Sequence, residues 1–327
     1  MYPIGLALIL RIFVIAGMGV QVMRPAAAAP AWLGPVDPIS QPHGNPAATR
    51  FMELFRPGTG WDKTAAHIQA LKLSTQFLRW APEDQLSTVI QYLNRHHIAL
   101  AMEAFMLTAT ARCGDKGVES YATPHAMEEI AERVSRLGGV IAYAAMDEPI
   151  HFGHFAVGPL TCQDPVADLA AQMAPNVRVL KTAFPAIQFG DIEPLNIHTE
   201  GRIADILAFA QAFQTQTGEP LAFVHADIIW ATEWRAQLTD WRQKLHAANI
   251  RLGIIIDGDG SDGTDIAWAD HAVARYQLVM GTPELRPDEV IFQSWMPHPT
   301  RMVPEDAEDT LTSIVRRSLE GPNRRAP

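Results

Sequence analysis

The chain has 327 residues, of which 48% are hydrophobic and 19% charged, a composition typical of a globular protein with one large core. Its formal net charge is −10, and without an N-terminal leader that carries Arg11 and Arg24 the charge is −12. A nucleic acid or an anionic membrane surface is therefore not expected as a partner.

The N-terminus has the pattern of an export signal. Arg11 precedes the apolar run 12–20, and the small residues 26–29 fit a cleavage site. An uncleaved anchor fits the same pattern, because the first eleven residues are unusually apolar, although the run is short for a membrane span. We expect residues 1–28 to be a signal peptide and the mature chain to be periplasmic or extracellular, without membrane contact.

Residues 29–49 are rich in proline and glycine, which predicts an extended lead-in rather than a helix. From residue 50 to 327, apolar strand-like runs alternate with amphipathic stretches. The candidate strands cover residues 50–55, 75–80, 98–105, 140–146, 186–191, 221–226, 252–256 and 290–294. Eight strands that alternate with helices predict a single-domain (β/α)8 TIM barrel. An open doubly wound sheet is the alternative, but residues 55–60 lack its G-x-G-x-x-G turn.

Two of the predicted helices have clear end signals. The stretch 203–213 has helical spacing of its apolar residues, and Gly218 stands where a C-terminal cap belongs. The last helix is predicted to open with the acidic residues from Glu305 to Asp309, which would complement the helix dipole.

The fourth strand is apolar up to Met146 and stops at Asp147-Glu148-Pro149. Two carboxylates followed by a proline cannot continue a buried strand, so they mark its carboxyl end. In a parallel barrel that end is where active sites lie. The alternative is that the two acids only cap or solvate a loop.

The other strand ends are polar or aromatic as well. They carry Glu53 on strand one, Arg79 and Trp80 on two, Glu103 on three, Asp191 and Glu193 on five, His225, Asp227 and then Trp230 on six, Asp257 and Asp259 on seven, and Gln293 and Trp295 on eight. One such residue is usually a cap, but their concentration on one rim predicts an acidic bowl edged with tryptophan.

Metal and phosphate sites are not indicated. The loop 257–265 contains four aspartates that would repel a phosphate. Its start resembles a calcium loop, but Asp262 stands where that motif requires glycine. His151 and His154 are not accompanied by an H-E-x-x-H motif, and zinc needs three or four convergent ligands. We therefore expect no metal and no cofactor, and a metal-dependent barrel hydrolase is a less favoured alternative.

Carbohydrate chemistry fits the rim better. Glycosidases need one protonated and one charged carboxyl on either side of the scissile bond. Sugar rings stack on aromatic side chains, and Trp80, Trp230 and Trp295 fall at or beyond strand ends. The sequence predicts a carbohydrate partner, which the barrel either cleaves or, as the competing interpretation, only binds. The chain has no G-x-S-x-G motif of an esterase.

The Asp147-Glu148-Pro149 segment resembles the Asn-Glu-Pro of clan A glycoside hydrolases. Arg79 and Trp295 also resemble positions that this clan uses. The resemblance implies that Glu148 is the general acid/base and that Asp147 holds a sugar hydroxyl. The clan has Asn where this chain has Asp147.

The same resemblance implies a catalytic carboxylate at the end of strand seven, where the clan has Glu and this chain has Asp257. A further likeness is to barrel enzymes that act on α-glycosides with carboxylates on strands four and six. In this chain those would be Asp147 or Glu148 with Asp227.

Elementary electrostatics supports Glu148 as the proton donor independently. A carboxyl beside a second carboxyl in a partly buried acidic bowl has its pKa raised by desolvation and like charge. Its partner should lie about 5 to 9.5 Å away. We predict Asp257 in that role, with Asp227 and then Glu193 or Glu53 as alternatives. The predicted substrate-binding residues are Glu53, Arg79, Trp80, Glu103, Asp147, His225, Asp227, Trp230, Gln293 and Trp295. The predicted function is that of an exported glycoside hydrolase.

Cys113 and Cys162 are the two cysteines of the chain. They follow strands three and four, in neighbouring loops, and an exported chain favours their oxidation. We predict a disulfide between them at the rim, the alternative being two free thiols.

Overall fold

A computed structural model describes residues 29–41, 45–114, 118–196 and 202–320. The predicted signal peptide, residues 1–28, lies outside the described residues. Eight strands form a closed barrel and are numbered here in chain order. They are β1 Ala31–Gly34, β2 Ile68–Ser74, β3 Ala99–Ala104, β4 Ile141–Asp147, β5 Gln188–Leu195, β6 Leu221–Ile228, β7 Arg251–Ile256 and β8 Glu289–Gln293.

Helices surround this barrel. They are α1 Asp62–Ala65, α2 Thr75–Trp80, α3 Glu83–His96, α4 Ala126–Arg136, α5 Val166–Ala183, α6 Arg202–Thr217, α7 Arg235–Ala247, α8 Asp265–Gly281 and α9 Leu311–Glu320, with a 3-10 helix at Pro46–Phe55 and a π-helix at His151–Phe155. Two short strands outside the barrel, Leu107–Thr108 and Tyr121–Ala122, pair with each other. No helix of the described ranges is both long and apolar enough to span a bilayer.

β1 closes the barrel between β2 and β8. Its Leu33 is in register with Leu71 of β2, and its Trp32 is in register with Ile291 of β8. Each neighbouring pair of strands around the ring is parallel. The predicted (β/α)8 barrel is confirmed, and all strand carboxyl ends therefore meet at one mouth.

The barrel has two apolar layers. One inward side chain from each strand fills its centre: Trp32, Ala70, Ala101, Ala145, Ile192, Phe223, Ile255 and Ile291. The opposite face of the strands packs against the helices in a larger layer. Because side chains alternate along a strand, these two layers show which residues point into the barrel and which point toward the helices.

The prediction of strand one was wrong. Residues 50–55 belong to the 3-10 helix Pro46–Phe55, where the Asn45 side chain accepts from the Ala47 amide at 2.8 Å and Pro46 stands at the first helical position. The true first strand, Ala31–Gly34, has only four residues, all of them buried. The barrel thus begins inside the segment 29–49 that was predicted to lead into it.

The prediction of strand two was wrong as well. Residues 75–80 form α2, because the hydroxyl of Ser74 accepts a hydrogen bond from the Phe77 amide at 2.9 Å and starts a helix. β2 is the preceding run Ile68–Ser74. The six remaining predicted strands correspond to β3–β8, with ends that differ by a few residues.

The helix ends give one confirmation and one correction. α6 ends at Thr217, and Gly218 follows it with φ of 79°, the left-handed cap that was predicted. α9 begins only at Leu311, so the acidic residues before it do not form its first turn. Glu305 is buried instead and accepts a hydrogen bond at 2.7 Å from the amide of Thr64 in α1.

Candidate active site

A ring of polar side chains lies at the mouth, directly beyond the apolar centre of the barrel. Two residues beyond the central layer, six of the eight strands have a polar residue. Five of these lie at the mouth, Lys72, Glu103, Asp147, Asp257 and Gln293, while the sixth, His225, stays inside the barrel. β1 and β5 have Gly34 and Pro194 there, and Asp227 follows His225 on the same face of β6. The strands therefore bring most of the predicted site residues to one end of the barrel.

Lys72 and Glu103 form an ion pair on the wall of this mouth. The Lys72 ammonium is 1% exposed and contacts Oε2 of Glu103, which also accepts a hydrogen bond from Nε2 of Gln293 at 3.1 Å. Burial alone would raise the pKa of Glu103, but the charge and hydrogen bond of Lys72 lower it. Lys72 was not among the predicted site residues, because strand two was predicted at residues 75–80. A lysine inside the otherwise mainly apolar run Ile68–Ser74 could have indicated it.

Asp147 ends β4 and has the opposite electrostatic environment. Burial in the mouth raises its pKa well above the ordinary value, and the charges of Glu103 and Glu119 raise it further. Burial and then the charge of Glu103 also raise the pKa of Glu119. Glu119 lies in the loop that follows β3, where no strand-end pattern pointed to it. The mouth therefore holds an ionised Glu103 beside acids that favour their neutral form.

Glu148 follows Asp147 in a strained turn. Its φ is 50°, a left-handed conformation that non-glycine residues adopt only where their surroundings impose it. Its amide donates to the carbonyl of Ile192 on β5 at 3.0 Å. Burial, followed by the charge of Asp147, raises the pKa of Glu148 to about 10. This carboxyl is protonated at neutral pH, as a proton donor must be.

Asp227 and Asp257 end β6 and β7. Burial raises the pKa of Asp227 to about 6, while the charge of Lys72 opposes the rise. Burial and the charge of Asp227 raise the pKa of Asp257 to about 7. The charge of Asp227 also raises the pKa of Glu148. Asp227 is therefore the carboxylate that couples both to Glu148 and to Asp257.

Asp257 makes its own set of contacts. Its Oδ1 accepts from Nε1 of Trp230 at 2.8 Å and lies 3.2 Å from Nη1 of Arg275. The Arg275 guanidinium lies 5.0 Å from the centre of the Trp230 ring. Trp230, predicted to bind substrate, thus holds Asp257 through its indole N–H.

His225 is a correction to the predicted substrate-binding set. It is fully buried inside the barrel, where its Nε2 lies 3.0 Å from Oε1 of Glu289 and its ring packs on Phe223. A Cβ at Gly253 would come within 2.4 Å of the His225 ring, so glycine makes room for it. His225 precedes Asp227 by two residues on β6, lies deeper in the barrel and does not reach the mouth.

Glu53 is a second correction. It lies on the 3-10 helix Pro46–Phe55 and not at a strand end. Its prediction followed from the misplaced first strand.

A cavity of about 480 Å³ opens on the β1, β2, β3 and β8 side of the mouth. The predicted residues that line it are Arg79, Trp80, Glu103, Asp147, Gln293 and Trp295. The Trp80 ring is 57% exposed, and the Arg79 guanidinium lies 5.1 Å from its centre. Arg79 and Trp80 thus contribute to the cavity from α2 rather than from a strand end. Glu148, Asp227 and Asp257 are not part of the cavity lining.

Asp191 and Glu193 do not point into the bowl. They share a face of β5 with Phe189 and Leu195, which pack in the layer under the helices. Both carboxyls are fully buried, and burial raises the pKa of Glu193 to about 7 even though the charge of Arg202 opposes the rise.

The predicted disulfide is confirmed. Cys113 and Cys162 are bonded with a Cα–Cα distance of 5.5 Å. Beside the bond, the amide of Gly114 donates to the carbonyl of Leu160 at 2.8 Å. The bond ties the loop after β3 to the loop after β4, which both border the mouth.

The described ranges contain no group of three or more His, Cys, Asp or Glu side chains placed to hold a metal ion. In the aspartate-rich loop after β7, Asp259 accepts from Ser261 and contacts Arg275 at 3.1 Å. Asp262 pairs with His271 at 2.9 Å. These carboxylates thus have protein partners.

Comparison with known proteins identifies the fold. No protein-family profile and no curated protein sequence matches the chain. Xylanase 10B from Thermotoga maritima has a TM-score of 0.53 at 9% identity, over 89% of this chain and 95% of that one. A variant of xylanase A from P fluorescens subsp. cellulosa, in complex with xylopentaose, scores 0.54 at 11% identity, over 90% and 99%. The GH10 structure from Paenibacillus barcinonensis scores 0.54 at 9% identity, over 90% and 96%. This chain therefore shares the barrel fold of these proteins over nearly its whole described length.

Proposed function

We propose that this chain is a glycoside hydrolase that cleaves an oligo- or polysaccharide by carboxylate acid/base catalysis. The observation that carries the proposal is that two carboxyls at the mouth, Glu148 and Asp227, favour different protonation states at neutral pH. The pKa of Glu148 is raised to about 10, chiefly by burial, while the pKa of Asp227 is only about 6. At neutral pH one carboxyl can donate a proton while the other is charged, which is what glycoside hydrolysis requires.

In this proposal Glu148 protonates the leaving glycosidic oxygen. Asp227 is the second carboxylate, because it points inward on β6 and its charge acts on Glu148. It would either attack the anomeric carbon or activate a water. Asp257, the partner predicted from the sequence, remains the alternative, since Trp230 and Arg275 hold its carboxylate in place.

The cavity at the mouth, which Asp147 lines, supports a sugar as the ligand. Trp80 and Trp295 supply aromatic faces for C–H stacking, while Glu103 and Gln293 offer groups that hydrogen-bond to hydroxyls. Asp147 would hold a hydroxyl next to Glu148. Xylanases with the same barrel, one of them bound to xylopentaose, are in keeping with a polysaccharide substrate.

We also propose that the protein is exported. The leader pattern of residues 1–28 and the disulfide between Cys113 and Cys162 both fit an oxidising compartment.

The test begins with residues 29–327, purified and incubated with a panel of oligosaccharides and exopolysaccharides. On any cleaved substrate with a natural leaving group, Glu148→Gln should lower kcat by about 10²- to 10⁴-fold, because the isosteric amide cannot deliver the proton. Asp227→Asn should have an effect of similar size and Asp257→Asn a much smaller one; the reverse order would assign the second role to Asp257.

Glu53→Gln is the matched control, since this carboxyl lies on a 3-10 helix rather than at a strand end and does not line the cavity. Wild-type activity of Glu148→Gln would refute the assigned donor. Binding of an oligosaccharide by calorimetry without any cleavage would favour the competing function, a barrel that binds carbohydrate without hydrolysing it.

A further inference from the structure

The turn that carries Glu148 is strained and must be held by its neighbours. At φ of 50° the Glu148 backbone occupies the left-handed region, which is unfavourable for a residue with a side chain. The Glu148 amide is held by the Ile192 carbonyl at 3.0 Å, and the Glu148 carbonyl accepts from Phe152 at 2.9 Å. The structure therefore stabilises this turn from β5 and from the π-helix that follows it.

Glu193, the residue after Ile192, holds the other end of the same turn. Its Oε1 accepts hydrogen bonds from the amides of Ile150 at 2.7 Å and His151 at 3.3 Å. Its Oε2 accepts from Nη1 of Arg202 on α6 at 2.8 Å. Glu193 is 0% exposed and Arg202 is 2% exposed, so these charge-assisted bonds are shielded from water.

We propose that Glu193 is the positioning residue for Glu148, acting as a buried anchor that fixes the turn after β4. The proposal rests on the proposed function for its catalytic consequence. One dipeptide of β5 binds both sides of the turn, through the Ile192 carbonyl and the Glu193 carboxylate. Without the carboxylate, the amides of Ile150 and His151 would lose this acceptor, and the strained turn would be held less firmly against the barrel.

Among the described residues, the charged and titratable groups that face Glu193 come from three elements. Arg202 faces it from α6 and Asp191 lies on β5 itself, while Nδ1 of His151 in the π-helix lies 3.5 Å from Nη2 of Arg202. The charge of Glu193 acts in turn on Glu148. Asp191 is the natural control, because it shares the face of β5 and is fully buried, yet neither of its oxygens hydrogen-bonds to the turn.

The experiment compares four variants of the protein comprising residues 29–327. Glu193→Met removes the anchor but would leave the Arg202 charge buried, so it is made together with Arg202→Met. Arg202→Met alone keeps the carboxyl that the amides need. Glu193→Gln keeps an acceptor oxygen and tests rescue, and Asp191→Asn is the control. Hydrogen exchange with mass spectrometry then reports on the amides of Ile150 and His151.

We expect the double variant to lose protection at these two amides, while Arg202→Met, Glu193→Gln and Asp191→Asn retain most of it. On a cleaved substrate, kcat of the double variant should fall by up to about 100-fold with KM within about twofold, because the acid is misplaced and substrate contacts are not. If these two amides remain fully protected from exchange in the double variant, Glu193 does not hold the turn and the proposal is wrong.

If the two amides lose protection but kcat is unchanged, the anchored turn is not needed to position Glu148 for catalysis. If the wild-type protein hydrolyses nothing, the proposed function and the catalytic consequence fail together. The exchange data still decide whether Glu193 holds the turn, because lost protection in the double variant would support the anchor.

Discussion

At the mouth of the barrel, the protonation state of each carboxyl depends on its immediate neighbours. Glu103 contacts Lys72, which holds its pKa below the ordinary value, whereas burial raises the pKa of Asp147. The two residues stand at equivalent positions on adjacent barrel strands. The contact with Lys72 and the hydrogen bond from Gln293 therefore favour an ionised Glu103, whereas burial and the charges of Glu103 and Glu119 favour the neutral form of Asp147.

The proposed roles of Glu148 and Asp227 predict the pH dependence of activity. Activity should fall as the pH drops through about 6, because Asp227 with a pKa of about 6 must be ionised. It should persist above neutrality, because Glu148 with a pKa of about 10 keeps its proton there. A pH profile of kcat/KM checks both limbs, and an acidic limb that survives Asp227→Asn unchanged would contradict this assignment.

At the scale of elements, the disulfide joins two loops that the barrel alone does not tie together. Cys113 and Cys162 are separated by 49 positions in sequence. Closing such a loop restricts the unfolded chain and typically stabilises a protein by about 2 to 4 kcal/mol. The Cys113→Ser/Cys162→Ser double variant should lose about this amount in the free energy of unfolding, measured with urea.

Wild-type protein unfolded under reducing conditions is the matching comparison, and it should agree with the double serine variant. Equal stability of the oxidised and reduced proteins would mean that the loops are held by other contacts, such as the hydrogen bond between Gly114 and Leu160.

At the scale of the whole molecule, the buried acids work against the stability of the fold. The pKa values of Asp147, Glu148 and Asp191 are raised in the folded state above their unfolded values near 4. A carboxyl with a raised folded pKa binds more protons when folded, so its contribution to stability declines as pH rises above about 4. The exposed ion pairs of Glu83 and Glu129 have the opposite dependence but contribute little.

We therefore expect the free energy of unfolding to decrease between pH 5 and pH 8. Asp191→Asn should reduce this dependence, because burial and the charge of Glu193 raise the pKa of Asp191 and neither of its oxygens has a side-chain partner among the described residues. Urea unfolding of both proteins at pH 5, 6.5 and 8 measures the effect. A wild-type stability that rises over this range would contradict it.

The barrel, and the end at which its polar residues collect, could be predicted from the amino-acid pattern alone. Strands β3–β8 are short, mainly apolar and largely buried runs, a pattern that depends on local composition alone. Because parallel strands place their carboxyl ends together, the positions of Glu103, Asp147 and Gln293 at the ends of apolar runs suffice to assign them to one mouth. The pairing of Cys113 with Cys162 followed from the same topology.

The first two strands were decided only by tertiary structure. Ala31–Gly34 is too short and too close to prolines to stand out, and it becomes a strand because β2 and β8 supply its hydrogen bonds. A helix start at Ser74 ended β2 earlier than the apolar pattern suggested. Lys72 was missed and Glu53 was misplaced for these reasons.

The inward or outward direction of each acid also depended on the closed barrel. Asp191 and Glu193 look in sequence like further residues of the rim, but the alternation of β5 turns them toward the helices. There Glu193 accepts hydrogen bonds from the amides of Ile150 and His151, which follow the neighbouring strand β4. The local sequence shows which residues are polar and where strands end. The partner of each polar group depends on contacts between segments that are distant in the chain, and these contacts form only when the barrel closes.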